Sequence, residues 1–337
     1  MNALINKYLP FKKQIKRSQR LKDLLRSIYL KRYLVFPYQV QIESTSLCNS
    51  RCLHCEHKDL KRPYASMEMS LYKKIINEIF QYKKYCKRIT LSLIGEPLLD
   101  PTFFEKVRYA KYKKIPSVSI YCNASLLTAD NCKKLINSRL DKVIFSVDGA
   151  TKESFESVRV GLSYFQVVEN IKRLATMKKK LYIKKPLIEV QMVITPFNRN
   201  EQELFDRTWK GIADKHFTRK MHVWGGKTLK KEIIDNSRSQ TKEQQSLLVP
   251  CFYLWKSMII SQSGKVALCC IDAHIHEEIG DLKKQSIYEI WHGKRLGEIR
   301  KKHLTGKMNE ISLCRQCNFR QTKSYPWWWY DKKIFFN

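Results

Sequence analysis

The stretch TSLCNSRCLHCEH, residues 45–57, places three cysteines within eight positions: Cys48, Cys52 and Cys55. In a reducing compartment, thiols clustered this closely act as metal ligands rather than disulfide partners. A structural zinc ion takes four ligands, so three thiolates are one short unless His54 or His57 completes the set. A 4Fe–4S cube offers another solution, in which three thiolates hold three irons and the fourth iron stays open to a small molecule. Electron-carrier ferredoxins close all four positions. An open iron implies chemistry.

A second cysteine set begins at Cys251, eighteen positions before Cys269, and ends in CRQC, which supplies Cys314 and Cys317. A single residue, a hairpin end and a C-x2-C pair give four ligands, enough to close a site around zinc or an iron–sulfur cluster. Cys270 is left over beside Cys269 and could replace it as a ligand. Cys86, Cys122 and Cys132 have no ligand spacing and are expected to be small buried hydrophobes, and Trp255 and Trp291 to be packing residues.

These groups need elements to position them. YQVQIES (38–44) alternates and predicts a strand running into the first cysteine loop. A helical pattern follows over 70–85, then a strand in ITLSLIGEP and a helix after Pro101. Next come a strand at SVSIYCN, a helix from Thr128 to about Ser138 and the strand KVIFSVDG. A helix near 164–179, the strand LIEVQMVIT, a helix near 200–213 and a strand near KMHVWGG complete the run. This alternation predicts parallel strands joined by right-handed crossovers. Six such units predict an α/β fold, a partial (β/α)6 TIM-like barrel, with its site at the strand C-terminal ends.

The domain organisation expected is a basic arm over 1–35, the barrel over 36–226, a polar linker over 227–250, a small auxiliary-cluster domain over 251–322 and an aromatic tail over 323–337. No segment is long and apolar enough to span a bilayer, and the N-terminus lacks the pattern of a secretory signal. A cytoplasmic chain is expected. The formal charge of +33 is spread along the sequence, as solvated lysine-rich faces would be. The first 35 residues differ, with ten Lys/Arg against Asp23 alone and Leu21, Leu24, Leu25, Ile28 and Tyr29 at helical spacing. Together with Trp327, Trp328 and Trp329, this arm suits peripheral contact with an anionic membrane, although packing on the protein's own body is the simpler expectation.

The motif CNSRCLHC matches the C-x3-C-x2-C signature of the radical S-adenosylmethionine (SAM) superfamily, and further motifs follow in that family's order. LIGEP (93–97) resembles its Gly-Gly-Glu-Pro segment, with Ile94 in place of the first Gly and with Gly95, Glu96 and Pro97 retained. SIYCNAS resembles its Thr-Asn-Gly turn, with Cys122 and Ala124 as replacements and Asn123 kept. FSVDG (145–149) resembles Ser-x-Asp-Gly through Ser146 and Asp148, and Arg159 stands where an arginine for the cofactor carboxylate often follows. VITPFN resembles the strand whose backbone reads adenine. His54 occupies the position before the last cysteine, where the family usually has Tyr, Phe or Leu. The resemblance covers roughly 38–215. It implies a 4Fe–4S cluster on Cys48, Cys52 and Cys55, with SAM contacted by Gly95, Glu96, Asn123, Ser146, Asp148 and Arg159. Reductive cleavage of SAM would then give a 5′-deoxyadenosyl radical, with a flavodoxin- or ferredoxin-type electron donor.

The second set is similar to the SPASM/Twitch extension, whose Gly-x4-Cys element is Gly264 to Cys269. The cysteine count matches the shortened Twitch form, implying one auxiliary 4Fe–4S cluster on Cys251, Cys269, Cys314 and Cys317. A fully ligated cluster suits electron acceptance, so the resemblance implies two-electron oxidation of a sugar-like or aminocyclitol substrate. Such a step needs a base, for which His222 is a candidate, although a packing histidine is the plainer reading. The alternative is a peptide- or protein-modifying maturase. A reading from another class, a zinc-stabilised nucleic-acid-binding module, lacks any supporting basic-aromatic motif, and no nucleic acid partner is expected.

Overall fold

The computed structural model describes residues 33–221, 250–315 and 317. Six strands run parallel: β1 (Gln39–Ile42), β2 (Arg88–Thr90), β3 (Val118–Cys122), β4 (Lys142–Ser146), β5 (Leu187–Ile194) and β6 (Lys215–Lys220). Between them lie helices α1 (Met69–Gln81), α2 (Phe103–Tyr112), α3 (Ala129–Asn137), α4 (Lys152–Val158), α5 (Tyr164–Lys180) and α6 (Gln202–Trp209). Each strand pairs with its sequence neighbour, as right-handed strand–helix–strand units require.

The alternation along the strands sorts the two faces. Val40 and Ile42 of β1, Val118 and Ile120 of β3, Val143 and Phe145 of β4, and Ile188 and Val190 of β5 are buried in the hydrophobic core. Each contributes roughly 1.5–3 kcal/mol of burial free energy. The intervening Gln39, Gln41, Ser119, Tyr121, Ser146 and Gln191 line a cavity on the opposite face. The sheet is therefore apolar outward and polar inward, as a ligand-holding partial barrel needs. The helices complete the outer layer: α1 buries Tyr72, Ile75, Ile76 and Ile79, a 3–4 spaced stripe. Thr128 caps α3 by accepting from the Asn131 amide, and Thr151 and Ser154 form a reciprocal cap on α4.

The C-terminal segment continues the same sheet. It contains α7 (Tyr253–Lys256), β7 (Ser257–Ile260), β8 (Lys265–Ala267), β9 (Glu278–Asp281), α8 (Ile287–His292), α9 (Lys294–Leu304) and α10 (Ser312–Arg315). β7 lies parallel to β1 in register Gln39↔Ser257 through Ile42↔Ile260, and β8 and β9 follow antiparallel. The sheet order is β6-β5-β4-β3-β2-β1-β7-β8-β9. The β7–β8 turn places Gly264 at φ +91°, a conformation natural to glycine.

Three expectations need correction. The last barrel strand is Lys215–Lys220, sharing only Lys220 with the expected KMHVWGG. KHFTRK is an edge strand with little apolar burial, so its pattern is weaker than that of the more hydrophobic stretch beyond it. The strand expected in ITLSLIGEP is short and starts one residue earlier, Arg88–Thr90, and Leu93 to Glu96 beyond it line the cavity. Helix α4 was not anticipated, although the sequence TKES carries its cap. Trp255 and Trp291 are buried, as are Cys86, Cys122 and Cys132. The basic arm up to residue 32, residues 222–249, which include His222 and all of the expected linker but Pro250, and the aromatic tail lie outside the described residues. Among the described residues, no helix is long and apolar enough to cross a membrane.

Candidate active site

A cavity of about 480 Å3 runs from the strand C-terminal ends down the polar inner face of the sheet. Cys48, Cys52 and Cys55 all line it from the loop after β1. The Ser50 hydroxyl stands between two of these thiols, 3.3 Å from Cys48 Sγ and 3.4 Å from Cys52 Sγ, and Arg159 donates to Cys52 Sγ at 3.6 Å. Burial pushes the Cys48 thiol up, and pushes Cys55 up to about 12 with Cys52 adding to the effect. Among the described residues, no three His, Cys, Asp or Glu side chains converge tightly enough for a single metal ion. Thiols that each serve a different iron of a cube need not converge so closely. Three thiols on one loop, facing a cavity, fit a three-ligand cluster with an open iron.

The loop is held by neighbours on every side. The Glu96 amide donates to Leu47 O at 2.8 Å, and the amides of Arg51 and Leu53 donate to Val160 O and Val158 O, each at 2.9 Å. A Cβ on Gly95 would stand 2.2 Å from Thr45 O and 2.7 Å from Leu47 O, so only glycine lets this segment press on the loop. Asn123 ties three segments: its amide donates to Glu96 Oε2 (2.7 Å), its Nδ2 to Asn49 Oδ1 (2.9 Å), and its Oδ1 accepts from the Ser125 amide (2.9 Å). Ala124, which replaces the resembling family's Gly, adopts φ +63°. Asn170 Nδ2 braces that turn by donating to Ala124 O at 2.8 Å. Burial pushes the Glu96 carboxyl up, against the opposing pull of the Asn123 amide. At the base, Arg62 forks onto both carboxylate oxygens of buried Glu43 (2.7 and 2.6 Å) and donates Nε–H to Ala273 O at 2.7 Å. That joins the cysteine loop to the C-terminal segment.

Asp148 is fully buried behind the cavity wall. It accepts from Arg159 Nε (2.7 Å) and from the Val193 amide (2.7 Å), with Arg159 Nη2 2.6 Å and His54 Nε2 3.3 Å from its carboxylate. Burial alone would raise the carboxyl, but Arg159, then His54 and the amide, hold it below the usual range. Burial drives His54 down to about 4, so the ring is neutral and sits beside Asp148 without forming an ion pair. Asp148 thus orients Arg159 and His54, both of which line the cavity. Asn198 closes the turn after β5, donating to Val193 O (2.9 Å) and Asp148 O (3.2 Å) while accepting from the Thr195 amide (2.6 Å).

Cys251, Cys269, Cys314 and Cys317 line a second, apolar cavity of about 30 Å3 with Cys270 and His303. The Cys251 amide donates to His303 Nδ1 at 3.2 Å. Burial, then the neighbouring Cys270, Cys317 and Cys314 thiols, push Cys269 well up. Four thiols from three separate segments fit a fully ligated cluster. Tyr253, Cys270 and Ile271 line both cavities and form their shared wall.

The geometry therefore brings Cys48, Cys52, Cys55, Gly95, Glu96, Asn123, Ser146 and Arg159 to one cavity and the four C-terminal cysteines to another, with Asp148 behind the first. Sequence reasoning missed Arg219, because its strand was expected further along the chain. It also missed His303 and the shared wall, which depend on contacts between distant segments. The Glu43–Arg62 clamp carries no local signature either.

The family model for the radical SAM superfamily matches residues 42–207, and that for the SPASM iron–sulfur cluster-binding domain matches 251–318. The chain belongs to the radical SAM superfamily and carries a SPASM-type extension. It is an enzyme of the family that uses a 4Fe–4S cluster and SAM, with auxiliary iron–sulfur chemistry in the extension. It is 25% identical over 325 residues to a tungsten-containing aldehyde ferredoxin oxidoreductase cofactor-modifying protein of Pyrococcus furiosus, covering 85% of this chain and 90% of that protein. An S-adenosyl-L-methionine-dependent 2-deoxy-scyllo-inosamine dehydrogenase of Niallia circulans is 23% identical over 281 residues, covering 83% of this chain and 92% of the other. The structure of Streptococcus suis SuiB bound to precursor peptide SuiA superposes with a TM-score of 0.63 at 13% identity, over 81% of this chain and 69% of that one. This likeness shows the shared fold.

Proposed function

We propose that the enzyme oxidises a sugar-like or aminocyclitol substrate by two electrons. Cys48, Cys52 and Cys55 hold the SAM-binding cluster, and Cys251, Cys269, Cys314 and Cys317 hold one auxiliary cluster. The observation that carries this reading is the wall of Tyr253, Cys270 and Ile271 common to the two cavities, which gives an electron a short route from a substrate to the second cysteine set. When bound, the cofactors supply a 5′-deoxyadenosyl radical that removes a hydrogen atom and an acceptor for the electron left behind.

The chain's own residues do the positioning. Gly95 lets the Glu96 segment close on the cysteine loop, and Glu96 and Asn123 fix the turns that would flank the SAM amino acid end. Arg159, aligned by Asp148, presents cationic N–H groups for a carboxylate. Gln41, Ser119, Ser146 and Gln191 offer the polar lining that a polyhydroxylated molecule requires, and the cavity volume lies in the range of small-molecule sites. The buried sheet face and the apolar second cavity keep water from the reactive species. A flavodoxin- or ferredoxin-type donor supplies the reducing electron. The similarity to the inosamine dehydrogenase favours the oxidation reading, whereas the SuiB likeness favours peptide modification.

Reduced, reconstituted enzyme with SAM is expected to transfer deuterium from a C-deuterated sugar or aminocyclitol into 5′-deoxyadenosine and to form a ketone two mass units lighter than the unlabelled alcohol. A Cys314→Ala/Cys317→Ala variant is expected to keep SAM cleavage and lose the ketone. Deuterium arriving from peptides and from no sugar would replace this reading with the maturase alternative.

A further inference from the structure

The charges lining the main cavity are unbalanced. Arg88, Lys142, Arg159, Arg219, Lys220 and Lys256 line it, against a single acid, Glu96. Several of these charges are already committed. Glu96 accepts from the Leu98 and Asn123 amides, Arg159 pairs with Asp148 at 2.6 Å, and Lys142 pairs with Glu189 at 3.1 Å. Among the described residues, neither Arg219 nor Lys220 has a carboxylate partner.

The position of Arg219 is specific. It lies on β6 opposite Val193, itself a cavity-lining residue, so its side chain faces inward. At the other end of the cavity, Lys256 and Arg88 both lie over the Tyr38 ring, at 6.0 and 5.6 Å. Burial, then Arg88, brings Lys256 down to about 8. Cations that outnumber acids in a polar cleft attract anionic ligands and raise their local concentration, and a guanidinium matches the oxygens of a phosphate.

Resting on the functional reading above, we propose that the substrate carries a phosphate ester, held by Arg219 and Lys220 at the mouth of the cavity between the two cysteine sites. The substrate class is then a phosphorylated or nucleotide-linked sugar rather than a free, cationic aminocyclitol. The hydroxylated ring would lie along Gln191 and Ser146, and the phosphate would face β6.

The test is calorimetric titration of anaerobically reconstituted, SAM-saturated enzyme with inorganic pyrophosphate, glucose 1-phosphate and glucose. Both phosphate-bearing probes are expected to bind at least about tenfold more tightly than glucose. Arg219→Gln/Lys220→Gln should remove that advantage, whereas the charge-matched surface variant Lys133→Gln/Lys172→Gln should keep it. Equal affinity for all three probes, or an equal loss in both variants, would overturn the assignment. So would loss of iron or of SAM affinity in Arg219→Gln/Lys220→Gln, because those cations would then balance the cofactors' own charge. Formation of 5′-deoxyadenosine from SAM and dithionite, with no probe present, reports on the cofactor reading separately. If it fails, the functional reading fails; if it succeeds without phosphate selectivity, only the substrate assignment fails.

Discussion

The two cysteine regions use the same side chain in opposite settings. The first draws three thiols from one eight-residue stretch and turns them toward a cavity of about 480 Å3 lined by glutamines, hydroxyls and cations. The second draws its cysteines from three segments spread over sixty-seven residues and encloses them around about 30 Å3 of apolar space. The open set is held by polar clamps at its edges, through Arg62, Asn123 and Arg159. The closed set is held by packing, with Leu254, Leu268 and Leu313 around it. The contrast is between an open polar cleft and a closed apolar pocket.

Changing Cys48, Cys52 and Cys55 together to Ala is expected to have the largest effect. Iron should fall from about eight to about four per chain, with 5′-deoxyadenosine formation abolished, as metal analysis and chromatography would measure. Four irons in both proteins would erase the distinction between the regions. Asp148→Asn comes next, because it leaves Arg159 and His54 beside a weakened acceptor. A loss of about 3 kcal/mol is expected in denaturant melts, with SAM affinity falling in parallel. Unchanged SAM affinity would confine Asp148 to stability.

Gly95→Ala presses a methyl group into the Thr45 and Leu47 carbonyls, and should cost about 2–3 kcal/mol. A conservative change at the closed set, such as Leu313→Met, should cost under about 1.5 kcal/mol. Equal costs would mean that the open loop is no more tightly fitted than the closed one. A further effect expected is one of pH. Folded His54 is held to about 4, whereas an unfolded histidine titrates near 6.5. Between those values the unfolded chain takes up a proton that the folded chain refuses, so this contribution to stability declines as pH falls from about 6.5 to about 4. At pH 5 the decline should reach about 2 kcal/mol in the apo chain, and His54→Gln should flatten it. A slope unchanged in that variant would show that the ring is not shielded as described.

Much of the open site was legible because its parts are local. Cysteine spacing, GEP, an Asn in a turn and an Asp after a strand each follow a strand whose period-2 pattern marks its end. The closed site was legible as a group of cysteines but not as a place, since the approach of Cys270 to both cavities depends on β7 pairing with β1 across more than two hundred residues. Arg219 was missed for a different physical reason. An edge strand as polar as KHFTRK does not display the alternation that buried neighbours impose. Asn170 and Arg62 act on turns distant in sequence, so nothing near them indicates their role.

The most direct measurement of the division between the regions is a Mössbauer and electron paramagnetic resonance comparison of the reconstituted, reduced enzyme before and after SAM is added. SAM should alter the signature of one of two cubes, and that cube should be the one lost when Cys48, Cys52 and Cys55 are replaced. A SAM-sensitive signal that persists in that variant would contradict the account, as would a spectrum in which SAM alters neither cube.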